Sequence, residues 1–91
     1  MWIPVYTKRF EKSMSRCLKR GYNIELFKEI VVLLIEDTPL PPKYKLHKLT
    51  GEFVNHWECH IKPDWLLLYR YDETNRQIIF EEMGTHSDLF G

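Results

Sequence analysis

The sequence predicts a small α+β domain in which a helical hairpin packs on one face of an antiparallel β-sheet. Apolar residues recur at helical spacing through residues 7–36, whereas they alternate with polar residues in three later segments. The length of 91 residues leaves room for one core, since domains usually run on the order of 100–150 residues. We therefore expect residues 1–91 to form a single two-layer domain with the order β-α-α-β-β-β.

The first half of the chain predicts a short edge strand and two helices. Residues 2–6 have an extended pattern, and Pro4 restricts this strand to an edge because proline donates no backbone hydrogen bond. A basic helix with one apolar stripe is predicted for residues 7–20 and is followed by a glycine, a typical helix end. A second helix is predicted for residues 23–36, with an asparagine as its N-cap and the proline-rich loop 38–42 as its stop.

The second half predicts three strands. Alternating patterns cover Phe53–Ile61, Trp65–Tyr71 and Gln77–Met83, and residues 72–75 form a tight polar connection between the last two. A glycine then ends the last strand, so Thr85–Gly91 is expected to be a short tail. The three strands form an antiparallel meander that packs against the helices.

Composition and charge exclude several classes of protein. Hydrophobic residues make up 44% and charged residues 29% of the chain, which excludes disorder as the default state. Thirteen basic and 13 acidic residues give no net charge, so there is no global basic field. Residues 1–50 nevertheless carry ten basic against five acidic side chains, whereas residues 51–91 carry three against eight. The first half therefore predicts a basic face.

Cysteine content and hydropathy predict a reduced, cytoplasmic protein that does not associate with membranes. Cys17 and Cys59 are too few for the disulfide framework of a small secreted domain. No apolar run reaches the roughly 18–20 residues of a membrane span, and no basic leader precedes an apolar stretch at the N-terminus.

Four histidines are candidates for proton transfer, because imidazole can take and give a proton near neutral pH. His47 follows the proline loop and His86 follows the last strand, and we expect such strand ends to converge in space. His56, Glu58 and His60 alternate, so they would share one sheet face and could hold zinc. This metal site is an alternative to acid–base chemistry.

Three further residues have open roles. Asp64 follows a proline at the start of a strand, where composition alone favours a turn aspartate over a functional carboxylate. Trp65, the next residue, is interpreted as a core residue. Phe90 near the C-terminus is either an anchor in a core groove or a platform on which a base could stack.

Three segments taken together resemble the YafQ family of the RelE/ParE toxin superfamily. The first is Tyr44–Gly51; the second contains His-Ile-Lys-Pro-Asp-Trp at 60–65; the third is Gly-Thr-His-Ser-Asp-Leu-Phe-Gly at 84–91. The resemblance implies a RelE-like fold and a toxin of a type II toxin–antitoxin module that cleaves mRNA in the ribosome. It also implies a cognate antitoxin that holds the toxin inactive and supplies any contact to operator DNA.

The resemblance also implies which residues act. His47, His60, Asp64 and His86 match the catalytic cluster of the family. Cleavage without a metal or cofactor uses the neighbouring 2′-hydroxyl as nucleophile, so one group must accept its proton and another must protonate the departing 5′-oxygen. We expect His86 to be the principal acid or base, His60 oriented by Asp64 to be its partner, and His47 to bind phosphate or share the proton transfer.

Substrate contacts follow from the same resemblance. Trp65 and Phe90 match its aromatic support positions and could stack on a splayed base. Lys45, Lys48 and Lys62 could hold the RNA backbone.

One position departs from the family pattern. An arginine usually stands two residues before the glycine of the last motif, and here that residue is Glu82. At about 4 Å and an effective dielectric constant near 20, a unit charge changes the interaction energy by roughly 4 kcal/mol. Three outcomes are open: Lys62 or Arg70 takes over the role, Glu82 is a general base in an altered scheme, or activity is weakened.

Two alternatives to an RNA-cleaving toxin remain at this point. A binding protein of the same fold could act on a protein target, as ParE-like relatives act on gyrase, or could bind only antitoxin. The zinc alternative centred on His56, Glu58 and His60 is the other. Whether the chain is an RNA-cleaving toxin or a binding protein of the same fold, the basic segment Lys8–Lys48 would suit an acidic antitoxin segment that folds on binding.

Overall fold

Five strands form one mixed sheet with the order β1-β5-β4-β3-β2 in the computed structural model, which describes residues 1–91. The strands are β1 Ile3–Tyr6, β2 His47–Lys48, β3 His56–Lys62, β4 Trp65–Asp72 and β5 Gln77–Gly84. The helices are α1 Lys8–Lys19, α2 Ile24–Ile35 and α3 His86–Phe90, and two 3₁₀ turns cover Pro42–Tyr44 and Gly51–Phe53. The predicted α+β class is confirmed, with β2 and α3 as additions.

Strand pairing follows the prediction for the three meander strands, β3 to β5, and departs from it for β1. β2 to β5 pair antiparallel in sequence order, whereas β1 pairs with β5 in parallel, with Val5 opposite Ile79. The two helices between β1 and the meander form a crossover long enough for a parallel pair. Since β1 lies at the sheet edge, Pro4 is at a position that tolerates a missing donor.

Both predicted helices form, the predicted Asn23 cap is confirmed, and Thr7 is a further cap that was not predicted. The Thr7 hydroxyl accepts a hydrogen bond from the Phe10 amide at 3.0 Å, and the Asn23 side chain accepts one from the Glu25 amide at 3.1 Å. Gly21 between the helices has φ +80°, a left-handed conformation that glycine adopts without steric cost.

The main core lies between α1, α2 and one face of the sheet. Its largest buried side chains include Phe10, Tyr69 and Phe80. Cys17 and Cys59 are buried in it as free thiols, and burial raises the pKa of Cys59 to about 12. No helix combines the length and the apolar character that a membrane crossing requires.

The C-terminal segment is a helix rather than the predicted tail. Thr85 and Asp88 form a capping box: the Asp88 amide donates to the Thr85 hydroxyl at 3.1 Å, and the Thr85 amide donates to the Asp88 carboxylate at 2.9 Å. Leu89 then packs on Leu66 and Leu68 in a small second cluster on the sheet face opposite α1 and α2. α3 is thereby held on that otherwise open face.

Candidate active site

Two rungs of the sheet place the predicted site residues on the face that carries α3. One rung pairs His47 with Glu58, Glu58 with Leu68 and Leu68 with Glu82. The next rung pairs His60 with Leu66 and Leu66 with Gly84. Residues paired across strands share a face, so both rungs lie beneath the segment that carries His86.

Three of the four histidines converge as expected. The ring centroids of His47 and His60 are 6.1 Å apart, and those of His60 and His86 are 5.8 Å apart. His56 does not join them: its Nδ1 lies 3.3 Å from the Val54 carbonyl oxygen, and its ring packs on Phe53.

Asp64 contacts His86, so the prediction that it orients His60 is wrong. The His86 backbone amide donates to Asp64 Oδ1 at 2.9 Å, and the His86 ring Nδ1 lies 2.6 Å from the same oxygen. These two hydrogen bonds, the backbone one first, lower the pKa of the Asp64 carboxyl below its usual range. The reason is topological: the turn before β4 points Asp64 toward the start of α3, which the sequence left as a tail.

A buried carboxylate takes the place beside His60. Glu58 Oε1 lies 3.4 Å from His60 Nε2 and 3.2 Å from His47 Nε2, while the Glu58 side chain is 6% exposed. The three ligand atoms lie within 4.8 Å of one another and could hold a metal ion. Sequence reasoning considered Glu58 only for zinc with His56; the structure puts His47 in that trio instead.

The two aromatic positions have different environments. Trp65 is 3% exposed and packs edge-on against Tyr22 at 4.9 Å, so the prediction that it could stack on a base is wrong. Phe90 is 44% exposed and packs edge-on against Phe53 at 5.5 Å. Phe90 therefore combines an anchored ring with a surface that a base could reach.

The three predicted backbone-binding lysines are all exposed. Lys45 has a left-handed conformation, φ 46°, at the end of the 3₁₀ turn that precedes β2. The Lys48 ammonium lies 5.9 Å from the centre of the Trp57 ring. Lys62 ends β3, two residues beyond His60 on the same strand.

Glu82 is buried and bound to α1, which sequence reasoning missed. Its carboxylate lies 2.7 Å from Arg9 Nη2 and 3.9 Å from Arg16 Nη2, and its side chain is 7% exposed. A carboxylate flanked by two guanidinium groups is a poor proton acceptor, which argues against the prediction that Glu82 is a general base. Arg70, one proposed replacement for the arginine, instead donates from Nε to Glu81 at 3.0 Å.

Comparisons with known proteins agree on one family. The profile described as "Bacterial toxin of type II toxin-antitoxin system, YafQ" matches residues 3–91. The mRNA interferase toxin YafQ of Escherichia coli K12 is 37% identical over 87 residues, which cover 94% of this chain and 92% of that protein.

Solved structures extend the likeness to the fold. The E. coli DinJ–YafQ complex contains a chain with a TM-score of 0.90 at 33% identity, and the match covers all of both chains. A copper-bound mutant toxin from Helicobacter pylori has a TM-score of 0.93 at 32% identity, covering 99% of this chain and 100% of that one.

Proposed function

The chain belongs to the YafQ family, the mRNA interferase toxins of bacterial type II toxin–antitoxin systems, and from this premise we propose that it cleaves mRNA on the ribosome by metal-independent acid–base catalysis. The observation that carries the proposal is the contact between Asp64 and His86, with the His86 ring 5.8 Å from that of His60. Two imidazoles at this spacing can act on opposite sides of one phosphate.

In the proposed reaction the 2′-oxygen attacks the adjacent phosphorus and the bond to the 5′-oxygen breaks. The products are a 2′,3′-cyclic phosphate and a free 5′-hydroxyl. His86 is the group assigned to protonate the departing 5′-oxygen, because Asp64 can hold a proton on Nδ1 and stabilise the imidazolium that donates from Nε2.

The proton of the 2′-hydroxyl is assigned to the group of His60, Glu58 and His47. Glu58 Oε1 lies within 3.4 Å of both imidazoles, so a proton taken by either ring is stabilised by a buried carboxylate. The rings and the carboxylate also fit the donor set of a metal ion, but the proposed steps use these groups to hold and move a proton.

RNA binding is assigned to the exposed cations and Phe90 around the histidines. Lys45 and Lys62 lie beside His60 and carry charge for the phosphate backbone, and Phe90 offers its exposed ring to a splayed base. Lys48 lies over Trp57, which packs against the main core on the other face of the sheet, so it is not assigned to this site. Their exposure supports a substrate that threads across the sheet face rather than one enclosed in a deep pocket.

We assign a cognate antitoxin as the partner that restrains this toxin in the cytoplasm. An E. coli relative is seen in complex with the antitoxin DinJ. Here an apolar groove lined by Tyr6, Phe10 and Phe27 lies between the two N-terminal helices, beside the basic surface of α1. An amphipathic, acidic antitoxin segment fits both features, and any contact with operator DNA is assigned to the antitoxin.

The test is induced expression of wild type and His86→Ala, with primer extension on one abundant mRNA. Growth arrest with in-frame cuts for wild type, both absent in the variant, is the expected result. Retained antitoxin binding by His86→Ala shows that the variant is folded. Arrest without cuts overturns the proposal and favours a protein target, whereas cuts by the variant overturn the role assigned to His86.

A further inference from the structure

α1 takes the place of a strand along part of β5. β1 pairs with β5 only as far as Phe80, which leaves the edge of residues 81–84 open. At this edge the Met83 amide donates to the Ser13 hydroxyl at 3.1 Å, and Arg16 Nη2 donates to the Met83 carbonyl at 3.0 Å. Ser13 and Arg16 of α1 therefore satisfy the backbone amide and carbonyl of Met83.

Charges alternate along the same edge. The Glu82 carboxylate lies 2.7 Å from Arg9 and 3.9 Å from Arg16. Arg16 Nε in turn lies 3.6 Å from the Asp88 carboxylate. Arg20 also donates to Asp88, with its Nη2 3.1 Å from Oδ1. We call these five residues the arginine flank. It joins α1, β5 and α3 through three guanidinium groups and two carboxylates.

Both carboxylates of the arginine flank are largely removed from solvent. The side chains of Glu82 and Asp88 are 7% and 14% exposed, and carboxylates so placed require charged or hydrogen-bonding partners. The hydrogen bond from Arg20 is the main reason that the pKa of Asp88 lies far below its usual range.

Gly84 makes this convergence possible. A Cβ at this position would lie 2.6 Å from Asp88 Oδ2 and 2.8 Å from Arg16 Nη2, both closer than real Cβ contacts. The space where these side chains meet thus exists only because residue 84 has no side chain.

α3 depends on such anchors for its position. A helix of five residues is far below the roughly 12–15 residues at which an isolated helix becomes even marginally stable. Apart from the contact of His86 with Asp64, the anchors are Leu89 and Phe90 on its apolar side and Asp88 on its charged side. Asp88 lies two residues after His86, so a shift of Asp88 moves the catalytic ring.

We propose that Glu82 and Asp88 are positioning residues that act through Arg16 to hold α3, and with it His86, over the rung of His60. In this arrangement Glu82 replaces the usual arginine without loss of function, because it fixes a guanidinium from α1. The proposal rests on the proposed function, since its effect is on the cleavage step.

The first test is single-turnover cleavage of ribosome-bound mRNA by Glu82→Gln, Asp88→Asn and Arg16→Met. Because small displacements of a catalytic group are costly, we expect each variant to lower the rate at saturating toxin by roughly tenfold. The toxin concentration for half-maximal rate should change little. A rise in that concentration with an unchanged maximal rate would overturn the positioning role.

Double variants test whether Glu82 acts on α3 through Arg16. In an Arg16→Met background, Glu82→Gln should lower the rate no further, whereas independent roles would multiply. Asp88→Asn should still lower the rate in that background, because Arg20 and Thr85 also hold Asp88. The matched control is the exposed pair Glu25 and Lys28 on α2, where Glu25→Gln should leave the rate unchanged.

Charge reversal separates this proposal from the simple view that an arginine is missing. Glu82→Arg adds a third guanidinium beside Arg9 and Arg16, so cleavage should fall and Arg9→Glu should restore part of it. A rise in cleavage for Glu82→Arg would overturn the proposal.

Amide exchange tests the positioning independently of activity. Protection of α3 should drop in Glu82→Gln while protection of β4 is kept; unchanged α3 protection would overturn the proposal. If wild type does not cut ribosome-bound mRNA, the proposed function fails, and exchange still decides whether the arginine flank holds α3.

Discussion

Two charged regions lie on either side of α3, and they differ in the partners of their carboxylates. The histidine flank (His47, Glu58, His60, Asp64 and His86) pairs two carboxylates with imidazoles. The arginine flank pairs two carboxylates with guanidinium groups. Imidazole exchanges its proton near neutral pH, whereas guanidinium keeps its charge. Similar numbers of charges can thus serve chemistry on one side of a helix and anchorage on the other.

His86→Ala should have the largest effect, because it removes the one residue that both belongs to the histidine flank and lies on α3. We expect cleavage of ribosome-bound mRNA to fall roughly 10²–10⁴-fold, the usual contribution of a general acid. The thermal midpoint should stay near that of wild type, because the ring is 56% exposed. A decrease in cleavage of less than tenfold would show that His86 takes no part in the proton transfer.

Glu58→Gln should have the next largest effect, since it neutralises the buried carboxylate between two imidazoles. We expect cleavage to fall at least tenfold, with the pH–rate profile changed on the limb that reports the base. Glu52→Gln is the control, because Glu52 is an exposed carboxylate in the 3₁₀ turn before β3. An unchanged pH profile would exclude Glu58 from the protonation equilibrium of the site.

Gly84→Ala tests the boundary between the two flanks. The added methyl group would collide with Asp88 and Arg16, so we expect a loss of about 1–3 kcal/mol in unfolding free energy and a lower cleavage rate. Gly51→Ala is the control, because it also has positive φ, +69°, yet a Cβ there meets nothing within 4 Å. Chemical denaturation of both variants should show the larger loss at Gly84.

As the pH falls, the carboxylate of Asp64 in the histidine flank should be protonated before that of Asp88 in the arginine flank. The folded-state pKa values of Asp64 and Asp88 both lie below the ordinary 3.8, so each carboxylate stabilises the fold above that pH and loses its contribution as the pH falls through its lowered value. The shift is the larger for Asp88. Carboxyl-carbon NMR titration should therefore show Asp64 protonating first, and the reverse order would contradict the assigned partners.

Metal removal should have the smallest effect. Toxin stripped of bound metal with EDTA, and then freed of EDTA, should still cleave ribosome-bound mRNA, because the proposed steps use imidazoles without a metal. Added Cu²⁺ should inhibit wild type by occupying His47, Glu58 and His60, and inhibition should weaken in His47→Ala. Loss of cleavage by the stripped toxin, with recovery on adding back Zn²⁺ or Cu²⁺ to the toxin, would reverse the role assigned to this trio.

The sequence predicted the elements whose pattern is local and missed those set by tertiary contacts. The helical spacing of apolar residues, the Asn23 cap and the alternating strands were enough for the helical hairpin and the meander. The parallel pairing of β1 with β5 depends on how the crossover packs, which no local pattern records. The start of α3 was predictable from the sequence, because Thr85-His-Ser-Asp88 is a capping-box pattern.

The sequence predicted which residues form the site better than it predicted which of them contact each other. The three convergent histidines could be named from motif and strand ends, but the partner of Asp64 depended on the unpredicted helix. Arg9 and Arg16 lie more than 60 residues from Glu82, so only the fold brings these charges together.

The parallel pair of β1 and β5 has a consequence for the synthesis of the toxin. β1 has no partner strand until residues 77–80 have left the ribosome, and contacts so distant in sequence form late. His86 and its helix follow that partner by only a few residues. A nascent chain therefore gains the partner strand of β1 and the His86 ring almost together, and shorter nascent chains lack both.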